Sequence, residues 1–428
     1  MNKKVCIIGL GYVGITLALA FAKKNQKITG YDHNPNIVKK LGNGETHIYE
    51  KGLTKILKDS LRKKTFKVSH TIPKGFDFYI VTVGTPIKKN KNSGKFVANL
   101  NEIKKVSHVL KNKISSNSHV IYRSTLPVGT TRKIIIPIFE SSGKKIKSDY
   151  KISFAPERTI EGDAVNELYK IPQLIASCDK IGAKDASLLF KKINKKIILL
   201  DKLEEAEIIK LINNTYRDIS FAYANQIALI CSKLNISTNK LIRLSNYEYP
   251  RNKIPLASPG VGGPCLTKDP YILETFLKSK KDSIFSVGRK INKEVTKDFC
   301  NNAIRNIKNL KKVLICGLSF KGYPPTKDCR GSSSLSMVNF FRKLKVQTFC
   351  FDPLFNKKEI DDMGLKNIDH KLKYDLVIIA NNSKFFTSIK FTKLLKKITR
   401  KNTKVYDCWE CLNNNSKKNF IYKTIGEI

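Results

Sequence analysis

Apart from Val5 to Ala22, no stretch of the 428-residue chain approaches the apolar length needed to cross a bilayer. That run follows Met1-Asn-Lys-Lys and imitates a signal peptide or short anchor, but Gly9, Gly11 and Gly14 interrupt it at a spacing with a separate explanation. Acidic residues are scarce: 35 Asp+Glu face 80 Lys+Arg, a formal net charge of +45. Such a charge suits an anionic partner. Yet the lysines spread from Lys3 to Lys423 without a dominating basic block, and no nucleic-acid module accompanies them, so a nucleic-acid partner is not expected. The ten cysteines do not form a disulfide scaffold. Cys6, Cys178, Cys231, Cys300, Cys316 and Cys350 sit in apolar or helical patterns, which suits a reducing cytosol. Cys408-Trp-Glu-Cys411 is the only CxxC and has no second pair nearby to complete a tetrahedral zinc site. The expectation is a cytoplasmic chain with no metal and no membrane span.

What is present is enough for two or three domains: 428 residues, 41% of them hydrophobic. Lys4-Val-Cys-Ile-Ile-Gly reads as a buried parallel strand leading into Gly9-Leu-Gly11-Tyr12-Val13-Gly14, after which Leu17, Ala18, Phe21 and Ala22 have helical spacing. The first glycine makes the turn, the second lets a pyrophosphate reach the backbone, and the third lets helix pack on strand. Gln26-Lys-Ile-Thr-Gly-Tyr-Asp32 is a second strand, ending in a carboxylate placed for ribose hydroxyls. A negative group there repels a 2′-phosphate, which favours NAD over NADP.

Phe76 to Pro86 and His119 to Thr130 are further strands that end in polar turns, at Gly84-Thr85-Pro86 and Ser124-Thr125-Leu-Pro-Val-Gly-Thr130. Ligands bind at strand ends in a doubly wound sheet, so Thr85 and Thr125 are candidates for cofactor or substrate contact; turn or cap hydroxyls are the alternative. Ile152 to Gly162 adds a strand and a loop with Glu157 and Glu161, available as acid, base or polar ligands, or simply exposed. Leu203 to Leu234 reads as one long helix with Ile208, Ile209, Leu211, Ile212, Tyr216, Ile219 and Tyr223 apolar. Lys210 and Asn214 emerge one turn apart, as an oxyanion-holding pair or as a solvated face.

Ser258-Pro-Gly-Val-Gly262-Gly-Pro-Cys265-Leu-Thr-Lys268-Asp269 crowds three glycines and two prolines around one thiol. Backbone of this kind is shaped for close approach to a ligand, and the charges just after Cys265 suit a nucleophilic thiolate. The last third then repeats the opening. Lys311-Lys-Val-Leu-Ile-Cys-Gly317-Leu parallels Lys3 to Leu10, and Val346 to Asp352 parallels the strand ending at Asp32. Tyr374 to Ala380 and Thr403 to Asp407 continue the echo. The second half lacks the three-glycine turn, having Gly317-Leu-Ser-Phe-Lys321-Gly322, and should bind a different phosphate-bearing ligand. The fold expected is α/β, with two Rossmann-like doubly wound domains joined by a central helical segment.

Six motifs in order make the chain resemble the UDP-glucose/GDP-mannose dehydrogenase family of nucleotide-sugar 6-dehydrogenases. They are Gly9 to Gly14, Ser124 to Thr130, Pro156-Glu157-Arg158 with Glu161-Gly162, Lys210 with Asn214, Gly260 to Asp269, and Gly317 to Lys321 with Asp328-Cys-Arg330. The resemblance implies oxidation of a sugar C6 alcohol to the acid by two NAD, with Cys265 capturing the aldehyde as a thiohemiacetal and then carrying a thioester. It implies that Lys210 and Asn214 stabilise oxyanions and that Asp269 works with water as acid or base. Glu161 or Thr125 positions the hydrolytic water, and Glu157 supports them. Lys321 and Gly262 contact the sugar nucleotide, Arg330 reaches the NAD side, and Arg251 reaches nucleotide phosphates across a homodimer built on the long helix. The implied division is 1–200 for NAD, 201–300 for the helix and cysteine loop, and 301–428 for the UDP-sugar. Arg158, the Asn214-Thr-Tyr-Arg-Asp sequence and Gly260-Val-Gly-Gly resemble the branch acting on UDP-N-acetylhexosamines (UDP-GlcNAc or UDP-ManNAc), for surface polysaccharide. UDP-glucose oxidation and a non-enzymatic basic nucleotide-binding or nucleic-acid-binding protein are the rival readings.

Overall fold

The computed structural model describes residues 3–91, 94–277 and 282–427; Met1, Asn2 and Ile428, at the outer ends of the expected domains, lie outside them. The chain divides into two compact units, Met1–Asn213 with Tyr271–Lys278, and Asn214–Pro270 with Ser279–Ile428.

The first unit is built on an eight-stranded sheet. In chain order its strands are β1 (Val5–Ile8), β2 (Ile28–Tyr31), β3 (Phe66–Ser69) and β4 (Phe78–Val81), then, after a small antiparallel hairpin of β5 (Ile87–Lys89) and β6 (Phe96–Ala98), β7 (Ser118–Tyr122), β8 (Tyr150–Phe154), β9 (Gln173–Ser177) and β10 (Ile197–Leu200). Their order across the sheet is β10-β9-β8-β7-β4-β1-β2-β3. The six strands from β3 to β8 pair in parallel, which places all their C-terminal ends along one edge. β9 turns against β8 and carries β10 with it, an antiparallel step that strand-like apolar runs alone do not encode.

Central parallel strands are covered on both faces and therefore read as unbroken apolar runs. Val5–Ile8 and Phe78–Val81 are accordingly buried throughout. The helix Tyr12–Lys23 that follows β1 is buried without interruption from Gly14 to Ala22. The stretch that imitates a membrane anchor is thus a strand, a turn and a helix pressed on the sheet. Among the described residues no helix is long and apolar enough to cross a membrane.

The second unit repeats the plan with β11 (Lys312–Cys316), β12 (Gln347–Phe351), β13 (Lys366–Asn367), β14 (Leu376–Ile379), β15 (Lys404–Asp407) and β16 (Ile421–Lys423), ordered β13-β12-β11-β14-β15-β16 and parallel throughout. Both sheets therefore share the strand order of a dinucleotide-binding fold, with the first strand flanked by the second and fourth of each series. The long helix spans Leu203–Leu234, as its periodicity indicates. Its apolar residues do not all face inward: Leu211 is buried, whereas Tyr216 is 68% and Tyr223 55% exposed.

Candidate active site

In the first unit the glycine turn sits at the end of β1. Gly9 has φ +89°, a left-handed conformation that favours glycine. A Cβ on Gly14 would lie 1.8 Å from the Gly9 carbonyl oxygen, so the helix packs on the turn only because that position has no side chain. Gly11 is different: it caps the helix without a side-chain bond, and a Cβ there would meet nothing within 4 Å. Open space in front of helix N–H groups is what a pyrophosphate requires. Asp32, at the end of β2, accepts the backbone N–H groups of Leu10 and Asn34 at 2.8 and 2.9 Å and is fixed beside the turn. Each of its oxygens retains a lone pair for a ribose hydroxyl. The open turn and the fixed carboxylate fit a dinucleotide such as NAD.

Tyr12 in this turn reaches a residue that the sequence did not single out. Its hydroxyl bonds to Glu50, and the Gly162 N–H donates to both Tyr12 and Glu50. The cofactor turn and the Glu161-Gly162 loop are therefore tied through one buried carboxyl, whose pKa burial raises. Thr85 donates through Oγ1 to the Thr125 carbonyl at 2.6 Å, so the ends of β4 and β7 come together. The Ser124 to Thr130 turn is held further along, where Glu207 accepts from Gly129 N, Thr131 N and Thr131 Oγ1. Val13 lies in the first turn of the helix and supplies backbone there.

Glu157 is buried with Arg123, whose Nη2 lies 2.8 Å from it. Burial by itself would raise the Glu157 carboxyl; Arg123, then Lys210, then the Thr159 hydrogen bonds outweigh it and bring it down to about 2. Glu157 is thus an anion at any physiological pH, close enough to feel the Lys210 ammonium. Lys210 itself is 8% exposed, which excludes the solvated-face alternative for that position.

In the second unit the cysteine loop runs from Ser258 to Lys268 without helix or strand. The backbone N–H groups of Lys268 and Asp269 return to the Cys265 carbonyl at 3.1 and 2.9 Å, a tight turn that begins the helix Asp269–Glu274. Asp269 is fully buried and bonded on both oxygens, to Lys268 Nζ and Asn214 Nδ2, each at 2.6 Å. Asn214, Lys268, Asp269 and the Cys265 turn therefore form one cluster. The glycines of the loop meet the segment after β11. A Cβ on Gly262 would strike the Gly331 carbonyl at 2.3 Å, one on Gly263 would strike the Phe320 ring, and Gly263 N donates to the Arg330 carbonyl at 2.9 Å. This explains why the second half lacks a three-glycine turn: residues 318–332 brace the cysteine loop before the helix Ser333–Lys343 begins.

Lys321 lies over Phe320 at 5.6 Å in that same segment, and the Arg330 guanidinium pairs with Asp328. Arg251 is not drawn into the cluster; it stacks on Tyr249 at 4.4 Å, exposed.

Three models of the UDP-glucose/GDP-mannose dehydrogenase family match in order: the NAD binding domain at residues 3–194, the central domain at 204–294 and the UDP binding domain at 314–414. A UDP-N-acetyl-D-mannosamine dehydrogenase from Campylobacter jejuni is 31% identical over 78% of this chain and 82% of that protein. Another from Methanococcus vannielii is 28% identical over 99% and 97%. The solved structure of UDP-D-ManNAc dehydrogenase from Pyrococcus horikoshii, 27% identical, has a TM-score of 0.84 and covers 99% of each chain.

Proposed function

Since the chain belongs to the UDP-glucose/GDP-mannose dehydrogenase family, NAD-dependent oxidoreductases acting on nucleotide sugars, we propose that it oxidises C6 of a UDP-N-acetylhexosamine to the carboxylate. UDP-ManNAc is the foremost candidate, and the product serves surface polysaccharide. The support for that sugar is that the relatives above are UDP-N-acetyl-D-mannosamine dehydrogenases. The observation that carries the chemistry is Cys265 at the head of a turn whose Asp269 is buried between Lys268 and Asn214.

NAD, when bound, accepts the hydride in each of two oxidations. After the first, the Cys265 thiolate adds to the C6 aldehyde carbon and the new oxyanion takes a proton, giving a thiohemiacetal. Loss of the second hydride leaves a thioester, and water releases the acid and the thiol. Lys210 and Asn214 stabilise the oxyanions, and Asp269 holds or moves a proton through water. Thr125 or Glu161 orients the hydrolytic water, and Glu157 keeps a fixed negative charge beside Lys210. Lys321 and Gly262 hold the sugar nucleotide, Arg251 its phosphates, and Arg330 the cofactor side. Residues 1–200 serve NAD, 201–300 the cysteine loop and subunit contact, and 301–428 the UDP-sugar. Tyr216, Tyr223 and Ile230, seven residues apart and exposed on one face of the long helix, support a homodimer. That no disulfide joins the ten cysteines among the described residues supports a cytoplasmic setting.

The test is NADH formation with UDP-ManNAc, UDP-GlcNAc and UDP-glucose. Turnover of UDP-ManNAc is expected, and no turnover of any of the three overturns the reading.

A further inference from the structure

Behind the cysteine loop lies a closed ring of hydrogen bonds that the chemistry above does not use. Asn225, fully buried in the long helix, accepts the Ser258 N–H at 2.8 Å and donates to Asn292 Oδ1 at 2.9 Å. Asn292 donates in turn to the carbonyl and carboxylate of Asp218, at 2.8 and 2.9 Å. The same Asp218 oxygen receives Nη1 of Arg289, and Nη2 of Arg289 returns to the loop at the Val261 carbonyl, 3.3 Å away. The circuit thus leaves the loop at Ser258 and rejoins it at Val261. Between these ends Thr296 Oγ1 donates to the Pro259 carbonyl at 2.7 Å. Gly260 has φ +141°, and a Cβ there would lie 2.4 Å from the Thr296 hydroxyl.

None of Asp218, Asn225, Arg289, Asn292 and Thr296 is more than 6% exposed. Burying an Arg and Asp pair contributes little stability by itself, and apolar side chains would join the long helix to the helix Ile284–Ile304, which carries Arg289, Asn292 and Thr296, as well. They would not fix a loop of glycine and proline, whose backbone freedom is held only by bonds to its own N–H and C=O groups. Asn225, Thr296 and Arg289 supply three such bonds, at Ser258 N–H and the Pro259 and Val261 carbonyls, four to seven residues before Cys265.

We propose that Asn225, Asn292, Asp218, Arg289 and Thr296 are positioning residues for Cys265: they hold its loop so that the sulfur captures the aldehyde before it leaves. This rests on the covalent route proposed above. In that route the alcohol loses a hydride and a proton, the sulfur adds to the aldehyde, a second hydride is lost, and water cleaves the thioester, so two NADH accompany each uronate. An aldehyde that departs first has yielded one NADH and no uronate. A loop set loose therefore raises the ratio of NADH to uronate.

The experiment measures that ratio with the full chain, UDP-ManNAc and NAD, for wild type, Asn225→Ala, Thr296→Val and Thr296→Ser. Wild type and Thr296→Ser, which keeps the hydroxyl, are expected at two; Thr296→Val and Asn225→Ala are expected above two, with free aldehyde detected by a hydrazine reagent after quenching. The ratio reports only on molecules that turn over, so loss of folded protein does not move it. Should Asn225→Ala be insoluble, the Thr296 pair decides. A ratio of two in Thr296→Val and in any soluble Asn225→Ala, whatever the loss of rate, overturns the positioning role alone. Uronate formed by Cys265→Ser at wild-type yield overturns the covalent route, and the positioning role with it.

Discussion

The Asp32 carboxylate receives the backbone N–H of Leu10, the residue that follows the first glycine of the cofactor turn, at 2.8 Å. Asp352 receives the N–H of Leu318 at 2.7 Å in the corresponding place of the second unit. The two halves thus share a brace from the end of the second strand to the turn after the first, although only one turn continues directly into a helix. The ribose contact proposed for Asp32 would be a second task that Asp352 does not share.

Asp32→Asn keeps one acceptor for Leu10 and removes the charge. Hydrogen bonds to a charged group are worth about 1.5–3 kcal/mol each, so KM for NAD is expected to rise roughly 10- to 100-fold. NADP, repelled by the carboxylate, is expected to gain on NAD. Initial rates with both cofactors check this; an unchanged NAD/NADP preference counts against the ribose role.

Gly11 and Gly14 separate the two uses of a glycine. At Gly14 a methyl group collides with the Gly9 carbonyl, and overpacking of this kind costs roughly 1–3 kcal/mol or more. Gly14→Ala is therefore expected to lower Tm and NAD affinity together. Gly11→Ala meets no neighbour, so it should leave Tm near wild type while weakening NAD binding, because the methyl occupies the pyrophosphate's approach. Thermal melts with and without NAD distinguish the two cases.

Cys265→Ser replaces the sulfur with a hydroxyl that has no thiolate form at neutral pH. Uronate formation is expected to fall by on the order of 10³-fold or more, while UDP-sugar binding, followed by calorimetry, persists. Near-normal uronate yield would exclude covalent capture.

On the long helix, Tyr216, Tyr223 and Ile230 present an exposed apolar stripe. Tyr223→Lys places a charge in its middle and is expected to shift a dimer to monomer in light scattering, with both sheets intact by circular dichroism. A mass unchanged from wild type would remove this helix face from the proposed contact.

What the sequence reveals follows from which interactions are local. Buried parallel strands announce themselves as apolar runs, glycine turns by their spacing, and the cysteine loop by its density of Gly and Pro. The reversal at β9 leaves no such mark, because an apolar run has no direction. Glu50, Glu207 and, Asp218 apart, the Asn225 to Arg289 ring are equally silent: each is a polar residue among ordinary helix or loop residues, and each acts on backbone or side chains 28 to 112 positions away. Arg123 did carry a signal, a charge closing a buried strand next to Ser124-Thr125, and its partner Glu157 stood in a motif of its own. Pairing them needed the parallel register of β7 and β8, where Tyr122 lies opposite Phe154.

That pair sets the last expectation. Glu157 accepts from Arg123 Nε and Nη2 at 3.2 and 2.8 Å, with both side chains out of water. Folding lowers its carboxyl from 4.5 to about 2, so the pair's contribution is fully present above pH 4.5 and is lost as pH falls toward 2. Wild-type stability should therefore decline across this window partly through Glu157. Glu157→Gln cannot titrate and leaves Arg123 buried without a counter-charge, which costs about 3–5 kcal/mol at neutral pH. The difference between wild type and variant, measured by urea unfolding at steps from pH 6 to pH 3, should shrink as the medium becomes more acidic. A difference that stays constant would mean that the charge on Glu157 does not stabilise the folded first unit.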